Sequence, residues 1–233
     1  MNIIIIANGL FPTGMWVDTV LRQADRIVCC DGALEKYLNW QKRQATRVHP
    51  SVDVVGDGDS LNPKVMSEEG CMGIEIRRHW VEEQEYNDLT KATRFALEQA
   101  ERSVPRDILH HSPEEDVTIT YIGATGLRED HTLGNISLLA WYMEQYPGVG
   151  FRMVSDYGMF VPMQGHGVFD TYSGQQVSLF SLTPEVPVTV KGLRWPIEGR
   201  RLAWWWEASL NEAVGDSFEV WGGRMVVYLV SMV

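Results

Sequence analysis

The sequence predicts an α/β protein in two parts. Residues 1–150 read as a mostly parallel, Rossmann-like sheet with helices on both faces, and residues 151–233 as an all-β sandwich. Two observations carry this. Through the first two-thirds, short continuous apolar runs alternate with helical patterns, as in a parallel sheet covered on both sides. After about residue 151 the helical patterns stop, and short strand-like runs alternate with Gly, Pro and Asn turns.

The apolar runs come first at residues 3–6 (IIII), which end in Asn8-Gly9, then at 27–30, 52–55 and 118–122. The second and third lead into Asp and Gly, and the fourth into a glycine-containing loop. Helical patterns fall at about 15–23, 33–44, 88–102 and 132–146. In the C-terminal part, strands are expected at 159–162, 176–182, 186–190, 217–221 and 225–230, with the boundary near 148–156. Ligands of open parallel sheets sit at the carboxyl ends of the strands, and the Asp- and Gly-rich loops all fall there.

The chain has 233 residues, 45% hydrophobic and 22% charged, ordinary for a globular protein with a sizeable core. A formal net charge of −11 disfavours a nucleic-acid binder, which needs a basic face. It does not forbid an anionic substrate, because a divalent cation bridges carboxylates to phosphates. The odd set Cys29, Cys30 and Cys71 lacks metal-ligand spacing and points to a reducing compartment. The first residues lack the pattern of a secretion signal, and no stretch approaches the ~20 apolar residues of a membrane span. A cytoplasmic protein is expected.

Acidic groups cluster at the predicted element ends: Asp31, the pair Asp57 and Asp59, Asp88, and Asp130. An Asp-Gly turn is often no more than a turn, since Asp accepts hydrogen bonds from its own backbone. Yet Mg²⁺ needs one or two carboxylates beside substrate phosphates, and residues i and i+2 of an extended segment project to one side. Asn87 is placed to cap the next helix, with Asp88 in its first turn and Lys91 three residues on. A capped, solvated turn accounts for that pattern; so does a third metal carboxylate with Lys91 paired to a phosphate or to Asp88. GATGLREDHTLGN resembles a phosphate-cradling loop, with Gly123 and Gly126 for close approach and Arg128 for a bidentate contact, though the Walker ending is missing. His131 reads as a helix-start hydrogen-bonding residue. G-x-S-x-G, HExxH and CxxC are all absent, so metal-assisted phosphoryl or diphosphoryl transfer suits these parts best.

In this order the segments resemble the thiamine pyrophosphokinase family. Its D-G-A matches Asp31-Gly32-Ala33, and its G-D-x-D-S matches residues 56–60. Its D-Q-D-x-T-D-x-x-K matches residues 83–91, and its G-x-x-G-G-R-x-D-H matches residues 123–131. G-L-x-W and S-x-N correspond to 192–195 and 209–211. Glu83 and Glu85 stand where the family has Asp, Asn87 where it has Thr, and Leu127 where it has Gly.

The resemblance implies Mg²⁺-dependent transfer of diphosphate from ATP to the hydroxyl of thiamine. It implies Asp57, Asp59 and Asp88 as metal ligands, with Gln84 and Glu85 near the acceptor hydroxyl. Asn8, Asp31, Gly32, Lys91, Gly126, Arg128, Asp130 and His131 would face ATP. Trp195, Ser209 and Asn211 would face thiamine, with Trp195 offering a stacking face to a cationic aromatic ring. The resemblance also implies a homodimer, with its sites at the subunit interface. Trp204, Trp205 and Trp206 have no counterpart in the pattern and are expected to pack at the dimer interface. Two other readings keep the residues but change the function: a diphosphokinase for another hydroxymethyl acceptor such as a pterin, or a non-catalytic thiamine- or nucleotide-binding protein.

Overall fold

A computed structural model describes residues 1–59, 73–103 and 117–231; Ser60 and Cys71 lie outside them. The described residues form two compact units. One comprises Met1–Asn135 with Gly148–Gly150, the other Ile136–Pro147 with Phe151–Val233.

In the first unit, β1 (Asn2–Ile6), β2 (Arg26–Cys30), β3 (Ser51–Gly56), β4 (Glu75–Trp80) and β5 (Val117–Ile122) are parallel, in the order β5-β1-β2-β3-β4. Alternate residues of a strand serve opposite faces. Ile4, Ile6, Ile27, Cys29, Val52 and Val54 therefore share one core with Val17 and Leu21 of α1 (Trp16–Arg22) and with Leu34, Tyr37 and Trp40 of α2 (Ala33–Gln41). Ile3, Ile5, Val28 and Cys30 are buried on the other face, where α3 (Asp88–Ser103) packs on β1, β2 and β3. Coverage on both sides is why these strands read as unbroken apolar runs.

The strand β4, EIRRHW, has no such run and was not expected from the sequence. Beyond its backbone ladder to β3 and the packing of Ile76, it is held by charge. Asp53 on β3, 1% exposed, accepts from Arg26 on β2 at 2.7 Å, from Arg77 on β4 at 3.2 Å and from His79 at 2.8 Å. The His79 ring then rests on Phe95 of α3, with centroids 4.1 Å apart. Removing one carboxylate strands three donors. Asp53→Ala is therefore expected to lower the unfolding free energy by about 2–3 kcal/mol in urea titrations, discounted because Arg77 and His79 are partly in water.

The second unit is antiparallel. Its strands are β6 (Val149–Ser155, from Phe151 on), β7 (Gly158–Asp170), β8 (Gln176–Ser181), β9 (Val188–Lys191), β10 (Ile197–Arg200), β11 (Asn211–Glu212) and β12 (Ser217–Val230). The two runs expected at 217–221 and 225–230 are one strand with a register shift between Gly222 and Met225. A bulge of this kind bends a strand. It lets β12 pair with β9 before the shift and with β8 after it, while β7 runs along its other edge. Met163, Val177, Leu179, Val190, Phe218 and Val227 lie in the enclosed core. Trp205 opens a short 3-10 turn (Trp205–Ala208). Trp205 donates to the Ser181 carbonyl at 3.2 Å, while Trp204 and Trp206 are about 70% exposed.

Candidate active site

The carboxyl ends of the parallel strands open into a cleft of about 730 Å³. Asn8 and Gly9 after β1, Asp31 and Gly32 after β2, and Asp57 after β3 line it, facing Gln84, Glu85, Asp88 and Lys91. The loop after β5 contributes Gly126 and Arg128, and α4 (Glu129–Gln145) adds His131.

Asp31, Asp57 and Asp59 each bring one carboxylate oxygen into a group whose members lie within 4.8 Å of one another. Asp57 and Asp59 are exposed, whereas Asp31 is 2% exposed. The pair sits on a turn in which Asp59 donates its backbone N–H to Asp57 Oδ1 at 3.3 Å, and Gly58 takes φ +85°. That N–H, helped by the Gln84 amide 3.4 Å from Asp57 Oδ2, holds the Asp57 carboxyl below its ordinary range. Gly56 makes the approach of Asp31 possible: a Cβ there would lie 2.8 Å from the Asp31 Cβ. β2 and β3 are hydrogen-bonded neighbours, so aspartates just past their ends are brought side by side. The family resemblance implies Asp31 as a nucleotide contact, whereas here its carboxylate stands with the pair. The adjacency of two strands each ending in Asp-Gly is the signal that joins it to the carboxylate pair.

Asp88 stands at the start of α3, where Asn87 Oδ1 accepts the Thr90 N–H at 2.9 Å, the cap expected from the sequence. Burial pushes the Asp88 carboxyl up; the charges of Asp57 and Asp59 push it the same way, against the Lys91 ammonium 3.5 Å away. Lys91 is itself buried, 5% exposed. Just upstream, Glu83 accepts from the backbone N–H groups of Glu85 and, at 2.9 Å, of Tyr86. This side chain shapes the turn that presents Gln84 and Glu85.

After β5, Arg128 is held by Asp130 through two hydrogen bonds, of 2.5 and 3.1 Å. Arg128 in turn draws the Asp130 carboxyl down to about 2. Gly126 and Leu127 both have positive φ, +74° and +65°. Leu127 thus keeps a glycine-type backbone while carrying a side chain that is 70% exposed. A branched residue in this region is strained by about 1–2 kcal/mol, partly offset by the flexibility glycine adds to the unfolded chain. Leu127→Gly is accordingly expected to raise unfolding stability by up to about 1 kcal/mol. Chemical denaturation of both proteins checks this.

In the second unit, Trp195, Ser209 and Asn211 line a hollow of about 290 Å³. Asn211, 5% exposed, accepts the Trp195 N–H at 3.2 Å and donates to the Trp195 carbonyl at 2.7 Å. Its amide braces the backbone that displays the half-exposed Trp195 ring. Sequence reasoning missed this brace, and also Lys36, whose ammonium donates to the carbonyls of Asn8, at 2.6 Å, and Gly9. A lone lysine in a helix carries no sequence signal for either contact.

Residues 17–149 match the family described as thiamin pyrophosphokinase, catalytic domain, and residues 158–228 match thiamin pyrophosphokinase, substrate-binding domain. The chain belongs to the thiamin pyrophosphokinase family. That places it among kinase-type transferases of thiamine diphosphate formation. Thiamine pyrophosphokinase 1 of Oryza sativa subsp. japonica is 26% identical over 193 residues, covering 76% of this chain and 67% of the rice protein. The Candida albicans thiamin pyrophosphokinase structure superposes with a TM-score of 0.78 at 20% identity, over 99% of this chain and 90% of the other. The yeast enzyme gives 0.78 at 15% identity, over 98% and 86%. The Bacillus subtilis enzyme gives 0.70 at 16%, over the whole of both. At these identities the structural likeness speaks for the fold, and the family assignment rests on the two matched segments.

Proposed function

We propose that the chain transfers the β,γ-diphosphoryl group of ATP to the hydroxyl of thiamine, giving thiamine diphosphate and AMP, with Mg²⁺ as cofactor. The observation that carries this reading is the meeting of Asp31 and Asp57, with Asp59 grouped beside them, in a cleft also lined by Asp88, Lys91 and Arg128. Close carboxylates repel one another, and an all-oxygen donor set at this spacing suits a hard divalent cation. Asp57, Asp59 and Asp31 would hold the ion, with Asp88 completing the acidic wall. When bound, Mg²⁺ supplies charge neutralisation between these carboxylates and the triphosphate.

The remaining work is positioning. Lys91 and Arg128 offer cationic donors to phosphate oxygens. Asp130 pre-orients the Arg128 guanidinium so that its open edge is available to an anion. Asn8, Gly32, Gly126 and His131 complete the nucleotide wall. Gln84 and Glu85, on the turn shaped by Glu83, are assigned to the acceptor hydroxyl. Trp195, braced by Asn211 and beside Ser209, is assigned to thiamine, whose cationic thiazolium favours an aromatic face. We read the working form as a cytoplasmic homodimer with its sites at the subunit interface, where the exposed Trp204 and Trp206 find cover.

The test is incubation with ATP, Mg²⁺ and thiamine, following AMP, ADP and thiamine diphosphate. AMP and thiamine diphosphate in equal amounts are expected. ADP would indicate transfer of a single phosphoryl group. Turnover with a hydroxymethyl-pterin but none with thiamine would move the acceptor, and tight thiamine binding with no turnover would make the protein a binder.

A further inference from the structure

The cleft wall formed by Asn8 and Gly9 is fixed on two sides. On one side it is stitched to the loop after β5: Ala7 donates to the Ile122 carbonyl at 2.9 Å, Gly9 to that of Gly123 at 2.6 Å, and Leu10 to that of Thr125 at 2.8 Å. The approach is so close that a Cβ on Gly9 would lie 2.5 Å from the Gly123 carbonyl oxygen. On the other side stands Lys36 of α2, whose ammonium takes the Asn8 and Gly9 carbonyls together. Among the described residues, no carboxylate comes within ion-pair distance of that ammonium. Its charge is therefore spent on two backbone dipoles. Partial burial also makes the ammonium easier to deprotonate than an exposed lysine, so the contact is kept against a desolvation cost.

We propose that Lys36 is a positioning residue for the nucleotide. It ties down the loop after β1 and bonds two carbonyl oxygens whose negative dipoles would otherwise add to the acidic field of the cleft. The argument rests on the assignment of ATP to this cleft. An anion is repelled by carbonyl oxygens and favoured by N–H groups, so a wall whose carbonyls are already bonded to a cation is the better anion surface. Lys36 acts through Asn8 and Gly9, and it is not assigned a contact with ATP.

Steady-state kinetics of Lys36→Met and Lys36→Gln, with ATP and thiamine varied in turn, test this. Methionine keeps the length and apolar stem but no donor; glutamine keeps N–H donors without charge. In Lys36→Met the KM for ATP is expected to rise about tenfold, as for loss of a charged hydrogen bond, with the KM for thiamine unchanged and kcat within about threefold. Lys36→Gln should fall between Lys36→Met and wild type. Should Lys36→Met fail to fold, a KM for ATP in Lys36→Gln clearly above wild type supports the proposal, and an unchanged one overturns it. A loss of active protein that leaves the KM for ATP unchanged would reduce Lys36 to a structural prop. Wild-type protein that does not saturate with ATP would instead sink the assignment of the cleft.

Discussion

Asp59→Asn is expected to cut turnover by about a hundred- to a thousandfold, the scale on which single electrostatic contacts to a reacting group act. The fold should be untouched. Asp59 is exposed, and the strongest hold on Asp57 is the backbone N–H of residue 59, which asparagine keeps. The side chain therefore matters through its charge. In the absence of Mg²⁺, three carboxylates with oxygens within 4.8 Å repel, so neutralising one should leave the thermal midpoint level with wild type or above it. Added Mg²⁺ should then raise the wild-type midpoint and leave that of the variant nearly unmoved, since a ligand stabilises only the state that binds it. Initial rates across a Mg²⁺ titration, with melting curves at each concentration, measure both. Wild-type turnover in Asp59→Asn would remove this residue from the site.

Much of the first unit was legible in the chain because its physics is local. Four apolar runs buried on both faces announce four parallel strands, and Asn87 announces the start of α3 with a cap that forms as expected. β4 was not legible because Ile76 alone of its residues packs on the core, too little for an apolar run. Arg77 and His79 carry no strand pattern in the sequence, and the group that holds them is Asp53 on the neighbouring strand. In the second unit the two-glycine interruption at Gly222-Gly223 looked like a turn between strands, whereas it is a bulge inside β12. Glycine permits both, and only the pairing partners decide. The acidic groups of the site were each visible as residues at element ends. Their grouping was not, because it depends on which strands are neighbours.

That dependence is sharpest at Asp31. Asp31→Asn is expected to lower turnover about a hundredfold at fixed Mg²⁺, an effect relieved in part as Mg²⁺ is raised. The substitution suits the site sterically: Asp31 has φ +22°, and asparagine is among the residues that tolerate positive φ best. Backbone damage is thereby avoided, and a buried carboxylate beside two others is replaced by a neutral group of the same shape. The metal-free variant should melt no lower than wild type and should lose the stabilisation that Mg²⁺ confers. Asp88→Asn gives the contrasting signature. It leaves the buried Lys91 ammonium without the carboxylate 3.5 Å away, so its stability should fall with or without Mg²⁺. If Asp31→Asn instead keeps the full Mg²⁺-dependent rise in melting temperature, the third carboxylate of the cation site is Asp88, and Asp31 belongs with the nucleotide wall.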